Sequence, residues 1–136
     1  MRRVPIIAVA FAAFFTIAML FTLLSAAQEP SKKGPETGVA ACYSHRLIGH
    51  RTTSGQRYDP NTLTAAHGTI PMGTHVRVTN LENGKSVVVV VNDHMSVRGE
   101  IIMDISQRAC RELQFGPSGE AKVKLEVEAA NRATSR

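Results

Sequence analysis

Five consecutive valines, Val87–Val91, constrain the fold of this chain more than any other segment. They follow the pair Asn83-Gly84, and the segment before that pair, beginning at His75, is also rich in β-branched residues. Asn-Gly between two such runs predicts a β-hairpin with a type I′ turn, in which both turn residues take a positive φ. Because a run of valines has no polar side, we expect this strand to be covered on both sides, as in a closed barrel.

Other segments predict additional strands around this hairpin. Alternation of Val123, Leu125 and Val127 with charged residues indicates a strand with one solvent-exposed face. The turn formers between Leu47 and Gly73 predict a long loop, which on a small rigid scaffold is the usual place for binding groups. The predicted strands outside the hairpin are Val39–Ser44, Ile101–Ile105 and Ala121–Glu128.

One short helix is predicted between the last two strands. Ser106 can cap its first amides, and Gly116 followed by Pro117 is expected to end it. The apolar residues expected on one side of this helix are Ala109, Cys110 and Leu113. The chain is therefore predicted to be mainly β, with one or two short helices.

The start of the chain has the features of an export signal. Arg2 and Arg3 precede an uncharged run from Val4 to Ala27, and Ser25-Ala26-Ala27 supplies the small residues that precede a cleavage site. A retained membrane anchor is the alternative, because the run is long enough to cross about 30 Å of hydrocarbon. We predict a signal peptide over residues 1–27, a flexible linker over 28–38, one domain over 39–128 and a disordered tail over 129–136.

The charge of the chain bears on its partners. The formal net charge is +5, and it falls to +3 when the two arginines of the signal are removed. In the periplasm or cell envelope this balance suits an anionic wall polymer, and no basic run interleaved with aromatic residues indicates a nucleic-acid partner. We expect a monomer that contacts membrane only through an uncleaved N-terminal segment.

The two cysteines, Cys42 and Cys110, leave two possibilities open. In an oxidising compartment they can form a disulfide, and closing a loop of this length contributes on the order of 4 kcal/mol. Two unpaired buried thiols are the alternative. The five histidines lack the spacing of zinc ligands, so neither a metal nor any other cofactor is predicted.

Two ionisable residues stand out as candidates for catalysis. Asp93 ends the valine strand, where partial withdrawal from water is expected to raise its pKa and make it a proton donor near neutral pH. Its alternative role is to cap a turn through its side chain. His67 ends the segment Leu63–His67 and is expected to face a cleft, with a semi-buried structural histidine as the alternative.

Six phrases in order and spacing resemble the rare lipoprotein A family, over roughly Gly38 to Val127. They are Thr52-Thr53-Ser54-Gly55-Gln56-Arg57-Tyr58-Asp59, Leu63-Thr64-Ala65-Ala66-His67, Thr69-Ile70-Pro71-Met72-Gly73-Thr74, Val76-Arg77-Val78-Thr79-Asn80-Leu81, Asn83-Gly84-Lys85-Ser86-Val87-Val88-Val89 and Val91-Asn92-Asp93. The resemblance implies a six-stranded double-psi β-barrel, related in architecture to expansins and family 45 glycoside hydrolases. It also implies lytic transglycosylase activity on peptidoglycan.

By the same resemblance, Asp93 and His67 correspond to catalytic positions of the family. Substrate-binding residues are expected at Gln56, Tyr58, Thr64 and Asn92. The chain departs from the family pattern in two places. Gln56 stands where active members commonly have glutamate, and His94-Met95-Ser96 stands where they commonly have Arg-Gly-Pro.

The sequence thus supports the hypothesis of an exported endolytic transglycosylase that leaves 1,6-anhydromuramic ends on glycan strands. One carboxyl group suffices for this reaction, because the 6-hydroxyl of the muramic acid is an intramolecular nucleophile. Asp93 would protonate the glycosidic oxygen and later accept the hydroxyl proton. The alternative is an expansin-like barrel that binds glycan without cutting it, and a secreted inhibitor or effector is a third interpretation without positive support in the sequence.

Overall fold

The computed structural model describes residues 34–128, which form a small closed β-barrel. The predicted signal peptide and tail lie outside the described residues, as does most of the predicted linker. Within residues 34–128, no helix is both long and apolar enough to cross a membrane. The strands are β1 (Glu36–Cys42), β2 (Thr64–His67), β3 (His75–Asn80), β4 (Ser86–His94), β5 (Ile101–Ile105) and β6 (Glu120–Val127), with one α-helix, α1 (Gln107–Glu112), and a 3-10 turn at His45–Leu47.

The strands close in the order β1-β5-β2-β4-β3-β6. Two neighbouring pairs are parallel, β1 with β5 and β2 with β4, and the other four pairs are antiparallel. Parallel neighbours cannot be joined by a hairpin, so the chain must cross between them. This mixed six-stranded barrel confirms the predicted all-β fold and its double-psi architecture.

The hairpin forms from the predicted strands, but its turn differs from the prediction. Only Gly84 of the turn pair has a positive φ, at 76°, whereas Asn83 does not. A four-residue connection lies between Asn80 and Lys85, whose backbones are joined by a 2.8 Å hydrogen bond. The predicted type I′ turn is therefore wrong, because the longer connection needs only one left-handed residue.

The valine strand has one inner and one outer face. Val87, Val89 and Val91 are buried in the barrel core, whereas Val88 and Val90 face outward and are half-buried. The expectation of cover on both sides is therefore wrong for the outer face. Alternation along the other strands fills the same core, which includes Val76, Val78, Met103, Ile105, Val123 and Leu125.

The helix α1 closes one side of the core. Ser106 caps it as predicted, because its hydroxyl accepts a hydrogen bond from the Ala109 amide at 3.3 Å. The helix ends at Glu112, before the predicted Gly116, and Gln114 takes the left-handed conformation with φ 54°. Cys110 on the helix is bonded to Cys42 at the end of β1, so the structure has the disulfide rather than two free thiols.

Two boundaries differ from those expected. The first strand begins at Glu36, three residues before the predicted start of the domain, so part of the predicted linker is barrel wall. The predicted loop between Leu47 and Gly73 contains β2, which lies between β5 and β4 at the centre of the sheet order. The short sequence Thr-Ala-Ala-His has little intrinsic strand preference, and its pairing with two neighbours determines its conformation.

Candidate functional site

An alternation of alanine and aspartate crosses four adjacent strands on the outer face of the barrel. The register pairs Ala41 of β1 with Asp104 of β5, Asp104 with Ala66 of β2, and Ala66 with Asp93 of β4. We call these four residues the aspartate row. Since neighbouring strands lie about 4.8 Å apart, the two aspartates are about 10 Å apart at their Cα atoms, and Ala66 between them is buried in a cluster with Tyr43, Tyr58 and Met95.

A β-bulge places Asp93 in this row. Ala65 pairs with Val91, yet Ala66 pairs with Asp93, so β4 has one more residue than β2 at this point. Val91 and the extra residue, Asn92, are both buried. The inward and outward positions exchange after the bulge, which directs Asp93 outward although it would otherwise follow Val91 into the core.

Four hydrogen bonds hold the Asp93 carboxyl. Oδ2 accepts from the Tyr43 hydroxyl at 2.7 Å. Oδ1 accepts from the Thr53 amide at 2.9 Å, from the Thr53 hydroxyl at 2.8 Å and from the His94 amide at 2.9 Å. The carboxyl itself is half-buried, so it combines a fixed orientation with access to solvent.

These contacts lower the pKa of Asp93. Desolvation is the largest single influence and raises it, but the hydrogen bonds from Tyr43, Thr53 and His94 together outweigh desolvation and hold the pKa below its usual value. The predicted upward shift is therefore wrong, because donors to the charged form were not visible in the sequence. Asp93 is a carboxylate near neutral pH in the free domain.

Tyr43 lies beside Asp93 in a buried aromatic pair. Its ring packs on that of Tyr58, with centroids 4.7 Å apart, and both residues are about 95% buried. Burial raises the pKa of Tyr43 strongly, and the hydrogen bond to Asp93 and the charges of Asp93 and Asp104 add to that effect. Tyr43 therefore stays protonated and donates to the carboxylate. Sequence reasoning missed this residue.

The segment 49–58, which we call the site loop, packs against the end of β4. The main-chain amide of Ser54 donates to the main-chain oxygen of Asn92 at 3.1 Å. The side-chain nitrogen of Asn92, Nδ2, donates to Oε1 of Gln56 at 3.2 Å. The main-chain amide and the hydroxyl of Thr52 both donate to the main-chain oxygen of Gln56, at 2.8 Å each. These two bonds close the loop on itself. The loop is thus fixed relative to Asp93.

The predicted substrate-binding residues divide into two groups. Gln56 is exposed beside the site and is free to meet a sugar with its amide nitrogen. Asn92 and Tyr58 are buried, and each supports the site from behind: Asn92 holds Gln56, and Tyr58 packs on Tyr43. Thr64 is half-buried two residues before Ala66 on the same strand, and its backbone bonds Ser106.

His67 belongs to a different environment from Asp93. Its side chain is 4% exposed, and Nδ1 accepts from the amides of Thr69 and Ile70 at 3.1 Å each. A nitrogen that accepts two amides carries no proton, so the proton is on Nε2, which lies 3.2 Å from Oε2 of Glu36. His67 takes no part in the hydrogen bonds that hold Asp93. The two predicted catalytic residues lie on neighbouring strands, where His67 pairs with His94, and the donors to the Asp93 carboxyl are Tyr43, Thr53 and His94.

Asp104 is the second carboxylate of the site. It lies between two core residues of β5 and faces outward, and Arg98 Nη2 donates to Oδ1 at 2.8 Å. The pKa of Arg98 is raised by this bond and by the charge of Asp104. The resemblance implies a glutamate where this chain has Gln56, so one acidic group of that pattern is absent. The aspartate row still has two carboxylates, those of Asp93 and Asp104. Within residues 34–128, no three acidic, histidine or cysteine side chains are grouped so as to hold a metal ion.

The comparisons with known proteins agree with this geometry. Residues 35–125 match the family model described as lytic transglycolase. The chain is 48% identical over 91 residues to the endolytic peptidoglycan transglycosylase RlpA of Neisseria meningitidis, which covers 67% of this chain and 38% of that protein. It is 43% identical over 89 residues to the protein of the same name from Pseudomonas aeruginosa, covering 65% of this chain and 26% of that protein. The chain thus spans well under half the length of these relatives.

Two solved structures share the fold. The expansin of Clavibacter michiganensis aligns over 71% of this chain and 52% of its own, with 20% identity and a TM-score of 0.57. The Streptomyces papain inhibitor aligns over 74% of this chain and all of its own, with 20% identity and a TM-score of 0.55. At this identity the likeness concerns the fold alone. The family match covers two thirds of the sequence and includes every residue of the aspartate row, so the chain belongs to the lytic transglycolase family.

Proposed function

We propose that this domain is an endolytic transglycosylase that cuts the glycan strands of peptidoglycan and leaves 1,6-anhydromuramic ends. The observation that carries the proposal is the Asp93 carboxyl, turned to the outer face by the β4 bulge and held there by four hydrogen bonds. The family membership and the names of the relatives support the same reaction.

Asp93 acts as the acid and then as the base. Its carboxylate takes up a proton when the strand binds, because a sugar that covers the site removes water and adds to the desolvation that already raises the pKa. The protonated carboxyl donates to the glycosidic oxygen as the bond from that oxygen to the anomeric carbon breaks. The regenerated carboxylate accepts the proton of the 6-hydroxyl as O6 bonds the anomeric carbon, and this proton returns to water when the product leaves and the free enzyme with its carboxylate is restored.

Asp104 stabilises the positive charge that develops on the sugar ring. It lies on the opposite side of Ala66 from Asp93, and its charge adds to the raised pKa of Tyr43, whose hydroxyl donates to Asp93. A carboxylate fixed by Arg98 needs no reorganisation as that charge appears. Gln56 is placed to hydrogen-bond the sugar, and His67 acts as a positioning residue that fixes the turn after β2.

A non-catalytic glycan-binding barrel is the second candidate. The lowered pKa of Asp93 favours it, because a carboxylate that stays charged cannot protonate a leaving group. The expansin fold neighbour is compatible with either candidate.

The two candidates differ in the products that they predict. Purified sacculi, with and without stem peptides, are incubated with the oxidised domain, and released fragments are analysed by mass spectrometry for anhydromuramic ends. We expect such ends from the wild type and a loss of at least about 100-fold in Asp93→Asn. Co-sedimentation with sacculi without released fragments would establish the binding module instead. Equal product from both proteins would remove Asp93 from the reaction.

The place of action is part of the proposal. We infer that residues 1–27 direct the chain out of the cytoplasm and that the domain acts in the periplasm as a monomer. The charge and apolar pattern of the first 27 residues supports export. Cell fractionation of a C-terminally tagged full chain tests this, and recovery in the cytoplasm would contradict it.

A further inference from the structure

Two arginines of the site loop face solvent near Asp93 and have no role in the mechanism above. Arg51 and Arg57 lie directly opposite each other in an antiparallel bridge, and both are exposed. Residues so paired project to the same side, with Cβ atoms about 5 Å apart, where like charges repel each other. Within residues 34–128, no ion pair includes either arginine, and no acidic residue lies between Tyr43 and Tyr58.

Hydrogen bonds to the loop backbone orient both guanidinium groups. Nη1 of Arg51 donates to the Gly55 oxygen at 3.0 Å, and Nη1 of Arg57 donates to the Gly49 oxygen at 2.9 Å. A guanidinium has five N–H donors, so most of each fork remains available. The planar fork matches a carboxylate in two parallel hydrogen bonds, and the two forks are held toward the two ends of the loop, at Gly55 and Gly49.

The arginine pair is tied to the proposed catalytic carboxyl. Thr53 bonds Asp93 through both its amide and its hydroxyl, and Ser54 bonds the backbone of Asn92. Only Thr52 separates Arg51 from Thr53, so their Cα atoms are at most about 7 Å apart. An anion held by the pair is therefore at a fixed place relative to Asp93.

The positive charge is local rather than general. Residues 34–128 contain ten arginines or lysines and ten aspartates or glutamates, so their formal net charge is zero. Some basic side chains on other faces are in ion pairs with acidic neighbours, as in Arg77 with Glu128 and Arg108 with Glu112. The two exposed arginines of the site loop therefore give an anionic ligand a local attraction that the net charge of the domain does not supply.

We infer that Arg51 and Arg57 bind a carboxylate of the glycan strand and thereby set which part of the strand lies over the aspartate row. The inference rests on the proposed function for the identity of the strand. Peptidoglycan offers this chemistry from two sources, the lactyl group of muramic acid where the stem peptide is absent and the peptide carboxyls where it is present.

Binding measured without turnover tests the inference. In an Asp93→Asn background, co-sedimentation is measured with bare strands, with peptide-bearing strands and with strands whose carboxyls are converted to amides. We expect the Arg51→Gln, Arg57→Gln double variant to bind about tenfold or more weakly and to lose most of the salt dependence. Lys85→Gln with Lys124→Gln removes the same charge away from the site and is expected to keep the parental affinity within twofold.

The possible results separate the carboxylate-binding role of the arginines from the proposed cleavage reaction. The strand type for which the arginine variant loses most affinity identifies the carboxylate source. If amidated strands bind the parent as tightly as unmodified strands, or if the arginine variant binds like the lysine control, the inference is overturned. If the wild type releases no anhydro ends while arginine-dependent binding persists, the proposed reaction fails and the carboxylate site stands. The Arg51→Lys, Arg57→Lys double variant retains the charge without the fork and is expected to recover only part of the affinity.

Discussion

Asp93 and His67 end neighbouring parallel strands, yet they occupy opposite kinds of environment. Asp93 is half-buried on the outer face, charged, and surrounded by donors from the site loop and β1. His67 is almost fully buried and neutral, and its ring is used to hold the turn that follows its own strand. A polar residue at the end of a strand can therefore act in catalysis only where its side chain points to the solvent-facing side of the barrel and neighbouring donors fix its orientation.

Removing the Asp93 carboxyl is expected to have the largest effect on function. Asp93→Asn should lower the rate of strand cleavage at least about 100-fold, because it removes the only acid and base in contact with the bond. The free energy of unfolding at pH 7 should fall modestly, because an amide oxygen can still accept from Thr53 whereas the carboxylate charge that the donors stabilise is lost. A large loss of stability with retained cleavage would reverse the comparison with His67.

Removing the His67 ring is expected to act mainly on stability. His67→Ala leaves the amides of Thr69 and Ile70 without their acceptor and Glu36 without its neighbour, which costs about 2–3 kcal/mol in the free energy of unfolding. Urea unfolding measures this value. Cleavage well below the unfolding temperature should fall far less than in Asp93→Asn, and an equal loss would give His67 a direct catalytic role.

Weakening one donor to Asp93 should shift the pH dependence of cleavage. Thr53→Val removes the hydroxyl bond to Oδ1, so the charged form is less favoured and the pKa of Asp93 rises. The alkaline limb of kcat/KM should therefore move to higher pH. Thr62→Val, which removes a hydroxyl bonded to the Asp59 backbone away from the site, is the matched control and should leave the profile unchanged. A downward shift in Thr53→Val would exclude Asp93 as the acid.

The smallest effect concerns stability in acid. The folded-state pKa of Asp93 is below its unfolded value of about 3.9, so its contribution to stability is present above that pH and is lost as the pH falls through the folded-state pKa. The stability difference between wild type and Asp93→Asn should shrink as the pH falls below about 4. Urea midpoints at several pH values measure it, and a constant difference would contradict the assigned shift.

Much of the fold could be predicted from local patterns in the sequence. The hairpin strands, β5, β6 and the cap at Ser106 carry alternation or capping signals that the structure confirms. The position of β2 could not be predicted from its own residues, because the order of its neighbours and not its propensity makes it a strand. The left-handed Gln114 had no signal either, since glycine is the residue expected there.

The site was predictable as a set of residues and not as an arrangement. The motif phrases select Asp93 and Gln56, which the structure places at the end of β4 and on the adjacent site loop. Tyr43 was missed as a partner of Asp93, because their closeness depends on the strand order. The sign of the Asp93 pKa shift depends on donors 40 and 50 residues away in the chain, which no local pattern reveals.

The extra residue in β4 has a consequence for how this sequence tolerates length changes. Side chains of a strand alternate between its two faces with a period of two residues. One residue inserted or deleted before Asn92 would therefore exchange the solvent-facing and core-facing positions in the rest of β4. Deletion of a single valine from β4 would turn the Asp93 side chain toward the barrel core. Replacement of one core valine by isoleucine would only make the core more crowded. The outward orientation of the Asp93 carboxyl therefore depends on the number of residues in β4, so this strand can change in composition far more readily than in length.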